Sequence, residues 1–317
     1  MAVRLLINLA RFVATYFVAT IVVFLFMRLI PGDPAQVALG VNATPELLVQ
    51  TRAEFGTDRP LIQQYFDWSG GLLRGDFGIS YVTRTDISPM VLDKVQVSLI
   101  LVLTAMAIAL LVAIPLGTWA AVKHRNLSGV VIGVGSQIGV AIPGFLAGIL
   151  LVIVFAVGLG WLPANGWTAP VEDFGDFLRR LILPVLALAS VQGAILTRYV
   201  RSAVLEVMSE DYLRTARAKG LGKTEALIKH GLRNAAIPVI TVTGVQIAAL
   251  IIGAVVIERV FVIPGLGSML LDAVGNRDLL TVQSVVMVLV AITLILNLVV
   301  DILYTVVDPR LRKGANA

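Results

Sequence analysis

Six stretches of the chain carry no charged side chain: residues 12–27, 95–122, 126–171, 181–197, 234–257 and 279–300. About 20 apolar residues cross a bilayer as a helix, and flanking Arg or Lys snorkels to extend a shorter run. The runs are therefore read as six transmembrane helices of an all-α polytopic membrane protein. The third is far too long for one crossing. Its helix is expected near 130–157, and 158–171, with Trp161, Pro163, Asn165, Gly166, Trp167 and Pro170, is left as an interfacial loop. Composition agrees: 58% hydrophobic and 14% charged residues with a mean hydropathy of +0.91 lie far from the roughly 45–50% apolar and 25% charged of soluble domains.

Six spans put both termini on one side. That side, with the 2–3 and 4–5 loops, holds 15 Lys/Arg against 6 Asp/Glu, and the other holds 10 against 14. Short loops rich in Lys/Arg stay cytoplasmic, so both termini are expected to face the cytoplasm; the long first loop counts for little, because long loops translocate largely regardless of charge. Arg4 and Arg11 precede the first run, a pattern shared by signal peptides and signal anchors. The run ends in Arg28-Leu29-Ile30-Pro31-Gly32-Asp33-Pro34 without a small-residue cleavage site, so it is read as a retained helix. The chain thus divides into residues 1–94, a helix plus an extracytoplasmic insertion, and 95–317, a five-helix core with a cytoplasmic loop at 205–236. Within the insertion, Thr44-Pro45-Glu46 reads as a helix start and 59–73 as a second periodic stretch.

A pI near 9.7 reflects basic residues flanking the spans rather than a nucleic-acid module, which would interleave them with aromatics. The absence of cysteine excludes disulfides, thiolate metal sites and Cys nucleophiles. Asp76-Phe77-Gly78 has no kinase context and is a Gly-flanked turn. Gly222-Lys223-Thr224 resembles the end of a phosphate loop, but Arg217 stands where its first glycine belongs. His124 and His230 are read as solvated surface residues rather than metal ligands. No cofactor, metal or catalytic site is expected. The span cores lack ionisable residues, unlike most ion-coupled transporters. Gln137, Gln192 and Gln246 are the polar exceptions, as interhelical hydrogen-bond formers or as the lining of a water-filled path. Glycines four apart, Gly129/Gly133, Gly135/Gly139 and Gly144/Gly148, with Pro143 between, suggest that the third helix packs in a bundle interior. Pro115, Pro143 and Pro184 fall within or near spans, where neighbouring helices compensate the lost hydrogen bond.

The longest cationic run lies at 211–238, with Arg214, Arg217, Lys219, Lys223, Lys229 and Arg233 against Asp211 and Glu225. Gly220 and Gly222 divide it into two short helical stretches, read as helix, turn and helix on the membrane surface. The first offers Leu213, Ala216 and the Ala218 side for packing, and its cations for acidic or carbonyl partners. Read from composition alone, it is equally a positive-inside loop.

Thr215-Ala216-Arg217-Ala218-Lys219-Gly220-Leu221 followed by Arg233-Asn234-Ala235-Ala236-Ile237-Pro238 resembles the cytoplasmic coupling motif of ABC importer permeases, in the version of the oligopeptide/dipeptide family. Arg214 stands where the general motif begins with Glu. Further matches follow in order: Pro31-Gly32-Asp33-Pro34, Leu72-Leu73-Arg74-Gly75-Asp76-Phe77-Gly78-Ile79-Ser80, Pro264-Gly265-Leu266-Gly267 and Asp308-Pro309-Arg310-Leu311-Arg312. The resemblance implies a type I ABC importer permease fold in a bacterial or archaeal cytoplasmic (inner) membrane. It implies a second homologous permease, ABC ATPase subunits that hold ATP and Mg, and an extracytoplasmic peptide-binding protein as partners. Arg214, Thr215, Ala216, Arg217, Ala218, Lys219, Gly220 and Leu221 would couple to the ATPase. Glu258, Arg259, Pro264, Gly265, Leu266 and Gly267 would contact the binding protein or gate the path, although an interfacial ion pair is the commoner meaning of Glu258-Arg259. The implied cargo is di- or oligopeptides, with nickel, glutathione or another small solute as alternatives. An ion-coupled secondary transporter is the remaining reading.

Overall fold

The computed structural model describes residues 2–307, so the match at Asp308-Pro309-Arg310-Leu311-Arg312 lies outside the described residues. Among these the chain is helical, with an isolated antiparallel bridge from Ile79 to Asp86 and no strand. It forms two compact units, one centred on Ile100–Ile263 and one joining Leu9–Leu99 to Pro264–Leu294.

The first apolar run lies in α1 (Ala2–Leu29). In the insertion, α2 (Pro34–Leu39) starts behind Asp33, and α3 (Pro45–Phe55) behind Thr44, whose hydroxyl oxygen accepts from the Leu47 amide at 3.3 Å. Pro fits the first helical position because an N–H there has no intrahelical acceptor. α4 (Leu61–Arg74) ends on Gly75 at φ 78°. Both helices read from the insertion sequence are therefore present. α5 (Ser88–Val122) runs through Pro115; α6 (Leu127–Ala141) and α7 (Gly144–Leu151), with a π-helical turn at Val152–Gly158, share the third run. α8 (Phe174–Ser209) contains Pro184 and extends beyond both ends of its charge-free core. After the short α9 (Asp211–Ala218), α10 (Lys223–Ala226) passes through a π-helical turn at Leu227–Gly231 into α11 (Leu232–Val260). The chain closes with α12 (Leu266–Gly275) and α13 (Leu279–Val307). Among the described residues, five helices are long and apolar enough to cross a membrane, and α6 with α7 makes a sixth if the pair is one span.

Three expectations are corrected. The continuous helix at 130–157 is broken, with its halves bent by 100°. Ile142 and Pro143 both take extended backbone, with ψ 121° and 137°. Pro143 has no N–H to continue the ladder, and Gly144 behind it is a poor helix former. Secondly, the third run does not lie wholly in an interior. Gly129, Gly139 and Gly148 pack as expected, a Cβ on Gly139 coming within 2.8 Å of the Ala194 side chain on α8 and one on Gly148 within 3.1 Å of the Phe261 ring, but Gly133 and Gly135 face open space, and Val130, Val131, Val134 and Ile138 are exposed. One edge of α6 packs, and the rest of its surface is left uncovered by this chain. Thirdly, the second half of 211–238 is no separate surface helix, since the helical path from Lys223 to Val260 is unbroken.

In the Ile100–Ile263 unit, Val200, Val204 and Val207 of α8 pack with Leu213, Ala216, Leu227 and Val239. In the other unit, Ile87 and Val91 pack with Leu266, Met269, Val285 and Val288.

Candidate functional site

In α9 the sequence fixes both which face is free and where the helix stops. Asp211 lies in the first turn, where a carboxylate meets the positive end of the helix dipole, and accepts from Arg214 Nη1 at 3.2 Å. Leu213 and Ala216, three residues apart and only 3% and 9% exposed, anchor the helix in the core. Arg214, Thr215, Arg217 and Lys219 stay on the exposed side. Ala218, expected to pack, is exposed as well: it lies off the Leu213–Ala216 stripe. The helix ends in a Schellman motif, with Gly220 N–H bonded to Arg217 O at 3.0 Å and Leu221 N–H to Ala216 O at 3.3 Å. Gly220 supplies the φ of 97° that this stop requires, and Leu221 folds back onto the Ala216 cluster. The Tyr212 hydroxyl accepts from Asn234 Nδ2 at 2.9 Å, joining both halves of the motif. Sequence reasoning missed Gly231: a Cβ there would lie 2.8 Å from Leu227 Cδ1 and 3.3 Å from Leu213 Cδ1, so α9 seats directly on the π-helical turn. The sequence signal was a glycine inside an otherwise helical cationic run.

Hydrogen bonds tie down the insertion motifs, those of the Ser80 motif forming a hub on Asp278. Asp33 caps α2 at the Ala35 amide (3.0 Å) and accepts from Arg52 Nη2 (2.7 Å). Ser80 donates to Asp278 Oδ2 at 2.5 Å while its oxygen accepts from the Val82 and Thr83 amides. Asp278 also accepts from the Tyr81 amide and from the Thr281 hydroxyl at 2.6 Å. The Phe77 carbonyl accepts from Ser284 Oγ at 2.8 Å, and Gly78, at φ 92°, leaves a Cβ only 2.9 Å from Leu280. Asp76-Phe77-Gly78 is thus a turn, as expected, but one bonded to the start of α13. Burial pushes the Tyr81 phenol above its ordinary value, against the lowering effect of the nearby Arg28 guanidinium.

Of the residues after span five, Glu258 is 1% exposed and Arg259 is exposed, so they face different surroundings, as neighbours on a helix do. Pro264 is exposed, whereas Gly265, Leu266 and Gly267 are buried, with the Leu266 amide bonded to Ser98 Oγ at 2.9 Å. Val262 between them sits at φ 52°. Gln192 is buried in α8 with its Oε1 unpartnered among the described residues, so it does not form the expected interhelical bond there; Gln137 is exposed. Among the described residues no cluster of His, Asp or Glu fits a metal ion.

A family profile described as "Binding-protein-dependent transport system inner membrane component" matches residues 113–313, and its companion for the N-terminal part of such membrane components matches residues 2–102. The glutathione transport system permease protein GsiC of Escherichia coli (strain K12) is 36% identical over 305 residues, covering 96% of this chain and 97% of the relative. GsiC of Salmonella typhi is 38% identical with the same coverage. A crystal structure of an amino acid ABC transporter with histidines aligns with a TM-score of 0.48 at 14% identity, over 70% of this chain and 94% of that one.

Proposed function

The chain belongs to the family of inner-membrane components of binding-protein-dependent transport systems, and from that premise we propose that it passes short peptides into the cell. It is a multi-pass permease subunit of an ABC importer; in such systems the ATPase is a separate chain, and an ATPase and a binding protein are partners. The finer reading rests on one observation. α9 presents Arg214, Thr215, Arg217 and Lys219 outward from a helix pinned by Leu213 and Ala216 and stopped by Gly220, which suits a rigid lever pushed by a motor. In this reading α9 faces the cytoplasm and seats in a groove of an ATPase that carries ATP and Mg. A second, homologous permease completes the path, and the insertion of residues 30–94, with Arg259 and Pro264, meets the loaded binding protein. ATP and that protein together supply the differential binding energy for alternation between states.

The relatives are named for glutathione, itself a tripeptide, and this favours it as the second reading of the cargo. Purification of the chain from its native host in mild detergent is expected to recover an ATPase and a second permease. Proteoliposomes of that complex with its binding protein are expected to accumulate dipeptides with ATP. Glutathione uptake without dipeptide uptake selects the second cargo, and flux by this chain alone without ATP overturns both.

A further inference from the structure

The unit that joins Leu9–Leu99 to Pro264–Leu294 carries an open cleft of about 600 Å³, in the size range of small-ligand sites. Its wall is aromatic: Phe55 and Tyr81 stack with ring centroids 4.5 Å apart, and Trp68 and Phe77 line it beside them. Most of its charges are matched. Arg59 pairs with Asp67 at 3.3 Å and Arg84 with Glu54 at 3.5 Å, both at the half-exposed rim. Arg28 is different. Its guanidinium lies 5.0 Å from the Phe24 ring centroid, it has no carboxylate partner among the described residues, and its Nε is buried without a hydrogen bond. Gln283, from the first turns of α13, lines the same cleft. It is only 3% exposed, yet its amide forms no hydrogen bond among the described residues.

The Arg28 guanidinium, which approaches the Tyr81 hydroxyl but has no carboxylate partner among the described residues, and the Gln283 carboxamide thus line one aromatic-walled cleft, where a cation without a counter-charge favours an anionic group. We propose that the cleft is a binding station for the terminal carboxylate of a short peptide whose last side chain is aromatic or apolar. The carboxylate bonds to Arg28 and to the Gln283 amide, since a guanidinium and a neutral donor together suit one anionic group. The side chain lies against Trp68 and Tyr81. A single guanidinium without a counter-charge selects one carboxylate rather than two, and the rim carboxylates Glu54 and Asp67 oppose a second. The choice of a peptide as the carboxylate rests on the importer reading above.

Equilibrium dialysis of the full chain in lipid nanodiscs tests this with the dipeptide Ala-Phe and its C-terminal amide. The acid is expected to bind at least about tenfold more tightly than the amide, because a charge-assisted hydrogen bond is lost. Arg28→Gln is expected to bring that ratio to about one, and Gln283→Glu, which sets a carboxylate against a carboxylate, to weaken acid binding by about tenfold or more. Should Arg28→Gln fail to accumulate, Gln283→Glu decides alone. Equal binding of acid and amide, or a preference that survives the available variants, overturns the station and assigns the cleft to water. Co-purification of an ATPase is scored in parallel. No carboxylate preference with the ATPase present refutes the station and leaves the importer reading standing; selective binding with no ATPase does the reverse.

Discussion

Gly117 and Gly133 look alike in sequence, each a glycine within an apolar run, and differ in what a methyl group would meet. A Cβ on Gly117 lies 2.6 Å from Val200 Cβ and 2.7 Å from the Thr197 carbonyl oxygen, whereas Gly133 has nothing within 4 Å. Gly117→Ala is expected to destabilise by about 1–3 kcal/mol through overpacking against backbone that cannot swing aside. Gly133→Ala is expected to stay within about 0.5 kcal/mol, and thermal unfolding in detergent compares the two. Spacing within one helix drew attention to Gly133 and passed over Gly117, because the demand on Gly117 comes from α8, about eighty residues away in the chain. Asp278 was hidden for the same reason. Its partners Ser80 and Tyr81 are 198 and 197 residues distant, so what holds the Ser80 motif lies at the start of α13, remote in sequence. Asp278→Ala removes the acceptor for two hydroxyls and a buried amide, at about 1.5–3 kcal/mol for a hydrogen bond to a charged group. Protease cleavage between residues 75 and 87 is expected to quicken in that variant, and unchanged cleavage would show that the hub does not hold the loop.

At the scale of elements, stop signals were more legible than continuity. Gly220 ends α9 as its sequence setting indicates, since a C-terminal glycine with an apolar residue behind it is a local signature. The break at Pro143 and the unbroken path from Lys223 into α11 were not legible. A proline ends a helix or is absorbed by it according to its neighbours, and α5, α8 and α11 absorb Pro115, Pro184 and Pro238. The Gly220 stop carries its own prediction. A Cβ there meets nothing within 4 Å, so the cost of Gly220→Val is purely that of a β-branched residue at φ 97°, about 1–2 kcal/mol. It falls on the end of α9 and not on any span. Membrane insertion is expected to be normal and ATP-driven uptake reduced, with Gly220→Asn intermediate because Asn tolerates left-handed backbone better. ATPase and uptake rates measured together in proteoliposomes make the comparison. Wild-type coupling in Gly220→Val would remove the lever role from this helix stop.

For the molecule as a whole, composition and charge-free runs sufficed to read a polytopic helical membrane protein, while its sidedness rests on an imbalance of Lys/Arg between loops. That imbalance is a physical argument with a direct test, because the chain contains no cysteine and any thiol introduced is the only one to react. Thr215, exposed on α9, and Thr83, exposed in the insertion, are separated by three spans in the six-span reading and so belong to opposite faces. Cationic short loops are retained on the cytoplasmic side, hence Thr83→Cys is expected to react with a membrane-impermeant maleimide in intact spheroplasts. Thr215→Cys is expected to react only in inverted vesicles. Addition of the ATPase to those vesicles is then expected to slow Thr215→Cys labelling and leave Lys123→Cys, exposed after α5, unaffected, because in the proposed reading α9 is what seats in the motor. Labelling of Thr215→Cys from outside would reverse the orientation and with it the direction of transport. Correct sidedness without protection by the ATPase would keep the topology and move the coupling contact away from α9.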